Sequence, residues 1–111
     1  MFDDNEIEEL THKLESWTHI REDGERFFKR QIEQINSIIL MINSEFQRCE
    51  NNKYIMLMVN DSINRLNRMK DEVSALSVDF FHEVMEKESF IKEEISQLTK
   101  DQSETTNHGN Q

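Results

Sequence analysis

The chain contains no proline, and its only glycines are Gly24 and Gly109. These two residue types are the strongest interrupters of a helix. Residues 25–108 therefore carry no built-in stop. A single cysteine, Cys49, excludes an internal disulfide, and its ordinary role is that of a small apolar side chain. No apolar run approaches the ~18 residues that a membrane span requires. Basic residues are scarce: 13 against 23 acidic ones, for a formal net charge of -10. That balance disfavours nucleic acid, whose binders carry basic patches, and anionic membrane surfaces. The beginning of the chain, MFDDNEIEEL, is acidic where a cleaved secretion signal is basic and then apolar. A cytoplasmic protein is expected, or one exported without a cleaved leader.

What is present is helical patterning. Val, Ile, Leu and Phe number 29 of 111 residues, and 32% of the chain is charged. This is a low apolar content for a compact globule and suits long helices that share a narrow seam. Asp3 with Glu6 three residues later forms a candidate capping box, and Glu8 and Glu9 add negative charge to the first turn. Apolar residues then recur at alternating spacings of three and four, as a coiled-coil seam requires. In the first arm they are Ile7, Leu10, Leu14, Trp17, Phe28, Ile35, Ile38, Ile42 and Cys49. Arg21 and Gly24 interrupt that seam. Gly24 reads either as a tolerated weak spot or as a place of close approach. In the second arm the seam reads Val59, Ile63, Leu66, Met69, Val73, Leu76, Phe80, Val84, Ile91, Ile95 and Leu98, with an extra four-residue step after Phe80.

Between the arms lie Cys49-Glu50-Asn51-Asn52-Lys53. Asn tolerates the left-handed conformation that ends helices, so Asn51-Asn52 is the expected turn. The spacing predicts an all-α antiparallel helical hairpin, with helices over about residues 4–50 and 53–99. Facing residue numbers sum to about 103, given equal rise on both arms. Each arm then spans roughly 65–70 Å. Residues 101–111 have no large apolar side chain and read as a flexible polar tail. So thin a hairpin buries little by itself, which implies that it completes a bundle with partner helices.

Chemistry is hard to find in the chain. Glu9-x-x-His12 and Asp79-x-x-His82 each place an acid and a His one turn apart, as metal-binding bundles do. In the hairpin register, however, the two pairs fall about 18 Å apart. No nucleophile stands in a glycine-bounded elbow. No catalytic, metal or cofactor residues are read, and the chain is expected not to be an enzyme. The informative surface flanks the turn. There Ile39, Leu40, Met41, Tyr54, Met56, Leu57 and Met58 crowd more apolar area than one facing helix can cover. Phe27, beside the seam, joins them as a candidate partner contact. Phe90 and Glu94, an aromatic residue with an acid one turn later, stand near the end of the second arm. The same spacing recurs at Phe2–Glu6 and Phe46–Glu50, so position alone singles out the last.

A leaderless acidic α-hairpin of about this length resembles the small helical proteins of the type VII secretion systems of Gram-positive bacteria. The WXG-type members carry Trp-x-Gly in the turn. Here Trp17 lies within the first arm and the turn is Asn-Asn. The layout is closer to the accessory helical partners of LXG toxins, with an acidic first arm leading to Glu25-Arg26-Phe27-Phe28 and a charged second arm over residues 65–94. The resemblance implies a non-enzymatic adaptor or targeting chaperone. It would bind the helical N-terminal domain of such a toxin, with room for a second small helical protein, and promote its export. It also implies that Phe90 and Glu94 serve as an export signal. Two other readings compete. One is a self-associating structural coiled coil. The other is an acidic inhibitor that occupies a basic site on another protein.

Overall fold

The computed structural model describes residues 2–109, with side chains described for residues 5–102. Helix α1 spans Phe2–Glu45 and helix α2 spans Lys53–Gly109. A short 3-10 turn, Gln47–Cys49, lies between them. The protein is an all-α helical hairpin, and every described residue outside the two helices belongs to the connection at 46–52. No described helix is long and apolar enough to cross a membrane.

The connection differs from the expected one. No described residue, Asn51 and Asn52 included, has a positive φ. The chain reverses instead through stacked short hydrogen bonds. Phe46 N donates to Ile42 O (3.1 Å), Cys49 N to Phe46 O (3.0 Å) and Asn52 N to Cys49 O (2.9 Å). Asn52 then starts α2: its side-chain Oδ1 accepts from Ile55 N at 3.2 Å. Helix starts leave backbone N–H groups without partners, and an Asn side chain at this position supplies one. The first helix therefore ends at Glu45 rather than near residue 50. At the other end α2 continues to Gly109, ten residues past its expected end near 99. The polar segment contains no proline, so nothing in it interrupts the backbone ladder, and Thr99 Oγ1 adds a 2.8 Å bond to Ile95 O. The candidate cap at Asp3 lies outside the described side chains.

The chain divides into two compact units. The turn unit is Gly24–Asp79; the terminal unit is Met1–Asp23 with Phe80–Gln111. Within each, a segment of α1 runs antiparallel to a segment of α2. In the turn unit the seam centres on Ile35 and Val59, both buried, with half-buried Phe28, Ile32, Ile39, Ile42, Ile63, Leu66 and Val73 around them. In the terminal unit Val84, Ile91 and Glu88 are buried.

Three expected seam residues are exposed instead: Ile38 at 44%, Met69 at 51% and Leu76 at 61%. Ile39, Lys70 and Ser77 take their places, each half-buried. The reason is geometric. From Val59 the seam steps 63, 66, 70, 73, 77, which alternates four and three, whereas a path through Met69 and Leu76 breaks that alternation. In α1 the step from Phe28 goes to Ile32, four residues on, and moves the phase by one. Helix period decides which positions face inward. Lys70 fits because its alkyl stem can lie on the seam while its ammonium group leaves it; Nζ sits 3.4 Å from Asn36 Oδ1.

Candidate functional site

The terminal unit closes over an ion pair that belongs to no expected site. Arg21 Nε donates to Glu88 Oε1 at 2.8 Å. The Glu88 side chain is 7% exposed and that of Arg21 35%. Arg21 is one of the two residues that interrupt the first seam. Glu88 fills the gap between Val84 and Ile91 in the second. A buried carboxylate is tolerated because the guanidinium faces it directly. Both helices are thus polar at one matched level, which favours this register over a shifted one. The signal was in the sequence: a basic interruption in one arm matched by an acid at the empty seam position of the other. Both cross-helix pairs, 21 with 88 and 36 with 70, lie a few residues beyond the expected facing sum. Helical side chains lean towards their own N-terminus, so contacts between tips join residues further along each chain than the backbones alone suggest.

The expected partner-binding residues divide into two groups. Leu40, Met41, Tyr54, Leu57 and Met58 are exposed at 69, 64, 83, 67 and 71%, and Phe27 at 55%. Ile39 and Met56 are half-buried; Ile39 belongs to the seam. Phe27 is fixed by its neighbour, since its ring meets that of Phe28 edge-to-face at 5.4 Å. One ring of the pair is half-buried and the other is held out into solvent. Phe80 and Phe81 make the same edge-to-face pair at 5.3 Å, and both are half-buried.

Exposure and charge are distributed unevenly between the units. Fourteen large apolar side chains are exposed among the described residues. Eleven belong to the turn unit. That unit carries eight basic and eight acidic residues and is neutral. The terminal unit carries five basic and fifteen acidic residues, which accounts for the whole net charge of -10.

Phe90 is 62% exposed. Glu94, one turn on, is half-buried and lines an open cleft of about 380 Å³ with Glu6, Glu9, Leu10, Lys13, Gln97 and Leu98. The ring and the acid therefore stand in different surroundings, although both belong to the terminal unit. His12 and His19 lie on exposed faces, with Nδ1 3.7 Å from Glu15 and 3.9 Å from Glu22. Among the described residues no group of three or more His, Cys, Asp or Glu side chains is arranged to hold a metal ion. Compared with known proteins, the chain matches no family model, no curated protein and no solved structure.

Proposed function

We propose that this chain is a non-enzymatic helical adaptor that docks another helical protein on the apolar side chains flanking its turn. The carrying observation is the concentration of exposed large apolar residues in the neutral turn unit. Single exposed apolar side chains are ordinary, but a dense group of them marks an interaction surface. The group lies on helices rather than loops, so a partner helix can read it as a row of anchors. Leu40, Tyr54 and Leu57 are the first choice for those anchors, because they are among the most exposed and fall off the seam.

The resemblance to LXG-associated helical proteins names the partner as a toxin's helical N-terminal domain and the task as delivery for export. The absence of charge bias in the turn unit adds a physical expectation: binding there depends on apolar burial and varies little with salt. The test mixes the purified chain with the N-terminal helical domain of an LXG-type toxin from the same host. Leu57→Asp and Leu40→Asp should each abolish the complex while the free variants stay as helical as the parent. A complex that survives both substitutions refutes this docking surface. No complex with the parent chain refutes the partner.

A further inference from the structure

We propose that two copies of this chain associate face to face through one broad side of the turn unit, forming a four-helix bundle. The inference goes beyond the adaptor reading and does not rest on it.

Helical residues turn by about 100° each. On that basis Phe27, Ile38 and Met41 form one stripe of α1, about a quarter turn from the seam through Ile35 and Ile42. Met58, Met69 and Leu76 form a stripe of α2 at a similar offset, of the same sense, from the seam through Val59 and Val73. The two-fold axis relating the arms of an antiparallel pair passes through its broad sides. Equal offsets of the same sense therefore emerge on one side. All six residues are 44–71% exposed. The opposite side is more polar. It carries the Asn36–Lys70 contact and a cleft lined by Asn43, Ser44, Gln47 and Glu50 with Phe46, Met56 and Val59, and of the exposed large apolar residues Val78 falls on it. The turn unit is amphipathic as a whole, as each helix of a bundle is singly.

Area and charge point to a second copy as the occupant. Six large side chains, a little over half exposed, offer roughly 500 Å² of apolar surface if each has about 150 Å² to bury. A standard interface takes about 800 Å² from each partner, of which roughly 60% is apolar. The face therefore supplies about the apolar share of one such interface. A symmetric dimer also sets every rim charge against the same patch on its mate. A rim of one sign would repel itself. This rim carries Glu45, Arg65 and Glu72, with Arg65 already held 3.1 Å from Asp61, and the unit is neutral. Pairing through this side leaves Leu40, Tyr54 and Leu57 uncovered, since they fall on the outward faces of the helices.

The test is light scattering on the purified full chain across a dilution series, with methionine-methyl NMR on the same samples. The expected mass at micromolar concentration is twice the chain mass of 13.4 kDa, unchanged when salt is raised. On dilution the methyl signals of Met41, Met58 and Met69 should move while that of Met85 stays. Ile38→Asp or Met69→Asp should weaken the dimer by roughly 10- to 100-fold, because each removes a half-exposed large side chain from both copies. Where an Asp variant loses helix, Met69→Gln serves in its place. Leu57→Asp, outside the face, should leave the dimer intact. A parent chain that is monomeric throughout overturns the proposal. So does a dimer that survives Met69→Gln and Ile38→Asp, or one that is lost with Leu57→Asp.

Discussion

Removing Arg21 should cost this protein more stability than removing its partner Glu88. A 2.8 Å bond joins the two, and taken alone that bond predicts equal losses. Their surroundings predict otherwise. Arg21→Ala leaves the Glu88 carboxylate, 7% exposed, between Val84 and Ile91 with its guanidinium gone. Breaking a buried pair in this way costs about 3–5 kcal/mol. Arg21 is about a third exposed, so water can take part of its place and the lower end, ~3 kcal/mol, is expected. Glu88→Ala removes the buried charge itself. The remaining guanidinium can turn to water, and the loss should be nearer ~1–2 kcal/mol, that of an ordinary hydrogen bond and a small void. Replacing both residues by Leu should be neutral or stabilising, because two seam positions become apolar and no charge is left buried.

Urea unfolding followed by circular dichroism measures all four chains, at one protein concentration because association would shift the midpoints. The Arg21–Glu88 coupling should change little with added salt, since buried charges are weakly screened. Equal losses for the two single variants would refute the reasoning. So would a loss below ~1 kcal/mol for Arg21→Ala, which would reduce the contact to an exposed surface pair.

Two further outcomes are expected. Asn52→Ala should lower stability by ~1 kcal/mol, with Asn52→Asp close to the parent, because the side-chain oxygen that accepts from Ile55 N is lost in one and kept in the other; thermal melts of the three chains decide it. If Phe90 and Glu94 act as the export signal that the family resemblance implies, Phe90→Ala with Glu94→Ala should leave toxin binding intact and reduce toxin in the culture supernatant, and normal export would reduce both residues to packing.

The hairpin was legible in the sequence because nothing in it competes with helix: no proline, two glycines, and apolar spacings of three and four on either side of a polar break. Residue type and position pull apart along the second arm. Met69 and Leu76 are better hydrophobes than Lys70 and Ser77, yet the seam passes through the latter, because a helix period cannot bend to reach a larger side chain. Glu88 taken alone reads as one more solvated acid. Only its place between Val84 and Ile91, set against the interruption at Arg21, marks it as internal. At the turn, Asn52 was expected to end the first helix through a left-handed residue, but its side-chain oxygen starts the second. Asn serves both ends of helices, and spacing alone does not distinguish them. The exposed apolar group around the turn was foreseen in kind, since two helices cannot cover all of Leu40, Met41, Tyr54, Leu57 and Met58. Phe27, beside the seam, belongs to that group as expected, whereas the group's extension along one side to Met69 and Leu76 depends on the seam phase.

The partition of charge gives that apolar surface its physical setting. Eleven exposed large apolar side chains in a neutral unit would, in isolation, favour indiscriminate association, because nothing long-ranged opposes it. The same chain carries a net -10 in its other unit. Like charge of that size keeps proteins dispersed, and it grows with every copy added. An assembly that satisfies the apolar side in one step, and offers no second copy of it, gains the burial while limiting the repulsion. A symmetric pair does this; an open stack, which would add another such charge with each copy, does not. The charge need not contact any partner to matter. It sets how many chains can gather, while Phe27, Ile38, Met41, Met58, Met69 and Leu76 set where they meet.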